Sequence, residues 1–375
     1  MKSGANTKIV PGNQSFAEMV LESDNPDMVK VLVNSRGMLK LKDGDTILHL
    51  LARSGNAKML DAIKKLNLPT NIKNHNGMSP LHVTSEPSVV KILIKMGVDV
   101  NMKTEKGETA LHIASGKGSL EMVKALVRHG ADMDSQDKKG FSSLMTACTN
   151  SNENIVIFLL HNGADPNIKD NEGRIALHYA AVGGCVGSAT ALFEARVNVD
   201  DQDNKGLTPA VIAAMNNKPA ILKQLVESGA NLAYRDRNGN SILHRSARCG
   251  FLEVVAIILD AGVPVDIKGK SQRTPLHWAA QAGHVSVVTA LIEAGADPGI
   301  VDIENMTALH HAADRGKTEV IKAILDYRPD LAGLDLDCHE QVFADDSLQI
   351  ALMQMVMEHR AGEPNLWVYP DHNNT

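Results

Sequence analysis

The stretch T-P-L-H-W-A-A, Thr274–Ala280, sets a histidine beside a tryptophan within a run of helix-forming residues. A histidine so placed could be a base, a metal ligand or a packing element. Repetition decides between them. Histidines 49 and 82 stand 33 residues apart, as do 244, 277 and 310. His112 and His178 are 66 apart with Met145 midway, and Val211 falls midway between His178 and His244. One step is irregular, the 30 residues from His82 to His112. The frames agree: T-I-L-H at Thr46–His49, S-P-L-H at Ser79–His82, T-A-L-H at Thr109–His112 and S-I-L-H at Ser241–His244. A catalytic base is needed once, whereas this histidine occupies seven of nine units at one register. His277 therefore reads as scaffold, bonding across the turn of its own unit.

Local chemistry predicts what each unit folds into. A Thr or Ser before the helix supplies an N-cap oxygen, and Pro at the first helical position gives up only an N–H that would be unpaired there. At about 100° per residue, Ala279 and Ala280 return to the face of Leu276 and make it small and buryable. Val287, Val288, Leu291 and Ile292 repeat at helical spacing and predict a second helix. Gly295 then ends it in the left-handed region that a Cβ penalises. A glycine precedes the capping position in the first seven units (Gly44, Gly77, Gly107, Gly140, Gly173, Gly206 and Gly239), where tips such as Asn238-Gly239 suit a tight turn.

A 33-residue unit carrying T-P-L-H-x-A-A, an inter-helix glycine and a closing G-A-D (Gly130–Asp132, Gly163–Asp165, Gly295–Asp297) resembles the ankyrin repeat. The resemblance implies an all-α solenoid of stacked helix pairs joined by β-hairpin loops. It also implies a non-catalytic scaffold that binds protein partners through a concave groove and the hairpin tips. On this reading residues 1–11 are a disordered N-terminus and 12–41 a degenerate capping repeat with a Met28, Val31 and Leu32 stripe. Nine repeats fill 42–336, a degenerate cap follows at 337–361, and 362–375 is a flexible tail. The other function class open to the sequence is the targeting or regulatory region of a larger enzyme, such as a ubiquitin-ligase substrate receptor.

Composition agrees with thin aliphatic layers: of 375 residues, 3% are aromatic while 43% are apolar. The four cysteines fall at unrelated positions in their units with no C-x-x-C, which reads as reduced thiols in a cytoplasmic or nuclear protein. No signal-like N-terminus and no apolar run of membrane-spanning length is present, so no membrane insertion is expected. A net charge of −6 argues against general nucleic-acid binding. It is unevenly spread: residues 1–105 carry 14 Lys/Arg against 10 Asp/Glu, and residues 304–375 carry 5 against 13. A monomer without cofactor or metal is expected.

Departures from the pattern carry expectations of their own. The second full unit is three residues short, and Pro87 should begin its second helix after a shortened first. Gln272 and Asn305 replace the hairpin glycine, while Arg196 and Arg328 stand where a helix-ending glycine belongs, so those ends should differ locally. Ser347–Arg360 predicts a methionine-rich capping helix. Gly269-Lys270-Ser271 lacks the leading glycine of a P-loop, no G-x-S-x-G or H-E-x-x-H occurs, and the Asp335–Glu340 cluster reads as an acidic loop.

Two surfaces follow as candidate partner sites. Arg235, Arg237, Lys268, Lys270 and Arg273 predict a basic patch on neighbouring hairpin tips. The residue after the recurrent histidine falls about 200° from Leu276, away from the buried face and, by the resemblance, in the groove. That position holds Tyr179, Arg245, Trp278 and His311 in the later units, types common at interface hot spots, with Arg248 and Gln281 flanking.

Overall fold

A computed structural model describes residues 25–36, 43–66, 68–269 and 271–327. The segments expected as N-terminal tail, C-terminal cap, methionine-rich helix and flexible tail lie outside these residues, as do Lys270, Arg328 and the Asp335–Glu340 cluster. Contacts group the chain into two compact units, one ending at Gly206 and the other beginning at Leu207.

In the first unit, α1 (Pro26–Arg36) precedes five helix pairs. These are α2 (Ile47–Ser54) with α3 (Ala57–Ile63), α4 (Pro80–Val83) with α5 (Pro87–Lys95), α6 (Ala110–Lys117) with α7 (Leu120–Arg128), α8 (Ser143–Thr149) with α9 (Glu153–His161), and α10 (Ala176–Gly183) with α11 (Val186–Glu194). The second unit holds α12 (Pro209–Met215) with α13 (Pro219–Glu227), α14 (Ile242–Cys249) with α15 (Leu252–Asp260), α16 (Pro275–Ala282) with α17 (Val285–Glu293), and α18 (Ala308–Asp314) with α19 (Thr318–Tyr327). Inside each unit, first helices stack on first helices and second on second. No strand forms among the described residues, only an isolated antiparallel bridge between Arg235 and Ser241.

The stacking follows from the small faces. Ala279, Ala280, Val287, Val288 and Leu291 are fully buried. Each buried Val or Leu side chain contributes about 2 kcal/mol over leaving it in water. Pro87 does open α5 after a first helix of only four residues.

Two expectations are corrected. In α1, Val29 is buried whereas Met28 and Val31 are exposed, so the helix is turned about one residue from the expected stripe. Arg196 keeps the glycine conformation, with φ at 59°. Its N–H reaches Phe193 O at 2.8 Å and Val197 N–H reaches Leu192 O at 3.3 Å, the same closing bonds that Gly163 and Ala164 make. Those bonds and the burial of Val197 outweigh the roughly 1–2 kcal/mol that a Cβ costs there. Gln272 and Asn305 likewise hold φ at 60° and 57°.

In five repeats the recurrent histidine ties its own unit together and to the next. In α16, the Thr274 backbone N–H donates to His277 Nδ1 at 3.1 Å, and Thr274 Oγ1 lies 2.9 Å from the same nitrogen. A backbone N–H can only donate, so Nδ1 is the bare nitrogen and Nε2 carries the proton. Nε2 then donates to Met306 O of the following hairpin at 3.0 Å. Four more copies repeat this: His49 to Met78 O at 2.9 Å, His82 to Glu108 O at 3.1 Å, His112 to Phe141 O at 2.8 Å and His244 to Arg273 O at 2.9 Å. Ile175 offers no side-chain oxygen, yet its backbone N–H still donates to His178 Nδ1 at 3.2 Å. Where Met145 and Val211 take the position, the cap survives through Ser142 and Thr208.

The bonding pattern admits only the neutral imidazole. Burial pushes His49, His82, His112, His244 and His277 below their ordinary value, His277 to about 4, against a weaker raising pull from the accepting carbonyls. The unfolded chain takes up these protons near pH 6.5, before the folded chain does, so stability is full above that pH and falls as pH drops toward 4. We expect denaturant unfolding to show a loss on the order of 1 kcal/mol for His277 alone between pH 7 and 5.5. A midpoint unchanged across that interval would contradict the neutral ladder.

Candidate partner-binding face

The position after each ladder histidine sits above its own hairpin, whose tip residue lies nine places earlier in the chain. That tip residue is commonly an aspartate holding the turn. Asp137, Asp170, Asp236 and Asp302 each accept backbone N–H groups from two and four residues onward at 2.8–3.0 Å. The second carboxylate oxygen remains to meet the residue above.

This arrangement overturns the exposed stripe at two positions. Tyr179 is buried, its hydroxyl donating to Asp170 Oδ2 and its ring centroid 4.7 Å from that of Phe141. His311 is buried too, with Nε2 2.8 Å from Asp302 Oδ2. Asp302 also takes the Arg273 Nε–H at 2.9 Å. Burial alone would raise its pKa, but the hydrogen bonds from His311, the Met306 and Glu304 backbone and Arg273 overcome it and hold the group near 2. A helical wheel sees only the helix, and the hairpin aspartate below draws both side chains inward.

Trp278 differs. Its counterpart nine residues earlier is Gly269, so no carboxylate stands beneath it. The indole is half-buried, with two guanidinium groups against it, Arg248 at 5.1 Å and Arg273 at 5.6 Å from the ring centroid. Such stacking on an indole is favourable. Arg245 and Arg248 are exposed and Gln281 is half-buried. These three and Trp278 share the first-helix row of the second unit.

The expected tip patch is only partly a patch. Arg237 and Lys268 are exposed. Arg235 is exposed but spans two tips, its Nη1 donating to Gly239 O at 2.7 Å and Lys268 O at 2.9 Å. Arg273 is a correction: mostly buried, it is paired with Asp302 and with Glu304 at 3.5 Å, so it is no free tip cation. Lys270 falls outside the described residues. Missed from the sequence was the ninth tip, where Ile303 is 65% exposed and Val301 41%, aligned with Lys270 and Lys268. Also missed was a cleft of about 500 Å³ lined by Leu232, Tyr234, Val263, Pro264 and Ile267 between successive loops.

The family model for ankyrin repeats in three copies matches residues 17–104, 83–170, 177–269, 212–302 and 261–340. The chain belongs to the ankyrin repeat family. The ankyrin repeat is a protein-interaction module, and the helix pairs above are its repeats. NF-kappa-B inhibitor alpha of Gallus gallus is 34% identical over 89 residues, covering 22% of this chain and 28% of that protein. E3 ubiquitin-protein ligase KEG of Arabidopsis thaliana is 28% identical over 100 residues, covering 25% of this chain and 6% of that protein. The chain thus spans less than a third of either relative. Among solved structures, the ankyrin repeat domain of Bcl-3, titled a unique member of the IkappaB protein family, is 27% identical with a TM-score of 0.51 over 59% of this chain and 99% of that one. No helix among the described residues is long and apolar enough to cross a membrane.

The Asp302 junction yields a stability prediction. Asp302→Ala leaves Arg273 and His311 without their shared acceptor and unties the ninth tip. We expect a loss of about 3 kcal/mol in urea unfolding. A loss under 1 kcal/mol would mean that the junction is incidental.

Proposed function

We propose that this ankyrin repeat chain is a non-catalytic adaptor that binds a protein partner through the first-helix face of its second unit. Arg245, Arg248, Trp278 and Gln281 are its centre, and the tip cations Arg235, Arg237 and Lys268 form a rim. The observation that carries the reading is the half-buried Trp278, with exposed Arg248 against its ring and exposed Arg245 on the neighbouring first helix, in a chain with only two tryptophans. Trp and Arg are the residue types that dominate interface energetics, because each couples large contact area to a directional donor. His311 fixes the ninth hairpin of the same unit through Asp302. In this reading the protein acts as a cytoplasmic or nuclear monomer and needs no metal or cofactor, and its net charge of −6 sets nucleic acid aside. The name of NF-kappa-B inhibitor alpha records an inhibitory partnership for that relative, and we extend to this chain only the idea of a protein ligand.

The test is affinity purification of the full chain, followed by titration of the recovered partner against variants. Trp278→Ala should weaken binding by about 2 kcal/mol, roughly 30-fold. Arg245→Ala and Arg248→Ala should weaken it while shifting stability by less than about 0.5 kcal/mol, since both side chains are exposed. Unchanged affinity in all three variants would remove this face from the interface.

A further inference from the structure

Among the described residues, Trp278 is the ladder-following residue whose polar atom is both buried and without a partner. Tyr179 and His311 each reach the aspartate nine residues before them. The indole Nε1 of Trp278 is buried and has no hydrogen-bond partner among the described residues. Its hairpin cannot supply one, because Gly269 leaves no side chain and the space there is already claimed. A Cβ on Gly269 would come within 2.3 Å of Asn240 Oδ1. A buried donor left unpaired is costly, and proteins keep few of them.

The charges around it are unbalanced in one sense. Arg273, 5.6 Å from the ring centroid, is already neutralised by Asp302 and Glu304. Arg248, 5.1 Å from the ring centroid, and Arg245, three residues before it on α14, are exposed and make no ion pair among the described residues. The acid on the same row, Asp314, pairs with Arg315 at 3.3 Å. The site therefore presents one unused N–H and two unused guanidinium groups, with Arg248 as a long, movable cover over the ring.

We propose that this place receives a carboxylate side chain from an acidic peptide segment of the partner. One oxygen takes the indole N–H, the Arg248 fork swings from the ring to pair with the same carboxylate, and Arg245 meets a second acid nearby. Arginine forks match carboxylates in a bidentate way, which gives the site its selectivity. The proposal rests on the adaptor reading and specifies the chemistry of the partner at that face.

The test uses the full chain with Trp367→Phe, leaving Trp278 as the sole indole, and a fluorescein-labelled hexaglutamate peptide followed by anisotropy and by the indole N–H resonance. Expected are saturable binding that weakens with salt and a downfield shift of that resonance. Hexalysine should give no response. Arg248→Gln should weaken hexaglutamate binding about tenfold, the size of one lost charge-assisted contact. Gly269→Asp combined with Asn240→Ala installs the internal acceptor that Asp170 and Asp302 provide elsewhere, and it should abolish the response. If that variant fails to fold, Trp278→Phe keeps the ring without the donor and should weaken the peptide to a similar degree as Arg248→Gln. The proposal is overturned if hexaglutamate does not saturate, if binding is indifferent to Arg248→Gln and to loss of the indole donor, or if inorganic phosphate or a single-stranded oligonucleotide competes equally. A recovered protein partner that depends on Trp278 while hexaglutamate gives nothing would sink the carboxylate assignment and leave the adaptor reading standing.

Discussion

The structure depends on one side chain doing two jobs at once. Five ladder imidazoles accept from the N-cap of their own first helix and donate to a carbonyl of the next hairpin, as His277 does to Thr274 and Met306. A rigid ring with an acceptor and a donor on opposite edges fixes both distances together, which a flexible amide could do only at an entropic cost. The bond is worth most where it is dry, and five of these rings are buried deeply enough to lose their ordinary basicity. At Met145 and Val211 the array keeps its spacing through apolar burial, so the links are repeated reinforcements rather than one indispensable pin.

The ladder was legible because its chemistry is periodic. Spacing gave the helix pairs, the glycine tips and the shortened α4, and it showed that His277 is scaffold. What sequence reading missed lies in relations between elements. The wheel placed Tyr179 and His311 outside, since nothing in a single helix reveals Asp170 or Asp302 beneath it. That signal was present all the same, as an aspartate eight residues before the ladder position. Arg196 misled for a similar reason: a residue preference of about 1–2 kcal/mol was weighed without the two backbone bonds that enforce the turn. Met28 and Val31 misled because spacing alone does not set which side of a helix meets its neighbour, and a rotation of one residue buries Val29 instead.

The same comparison explains why the eighth repeat differs from its neighbours. Asp170 and Asp302 spend their second oxygen on the residue above, which rigidifies a tip and withdraws that residue from solvent. Gly269 does neither, so Trp278 keeps its donor and borrows its packing from Arg248 and Arg273. A repeat array offers many equivalent positions, and function needs one that is unlike the rest. Here the unlike position combines an aromatic ring, unmatched positive charge and an unmet hydrogen bond on one face.

The most direct test of the ladder is the tautomer of its imidazoles, read by long-range nitrogen–proton correlation on the full chain at pH 7. His49, His82, His112, His244 and His277 should each show a protonated Nε2 and a bare Nδ1, with the Nε2 proton protected from exchange by its carbonyl. Protonated Nδ1 at these positions, or doubly protonated rings at neutral pH, would contradict the link between repeats on which this account stands.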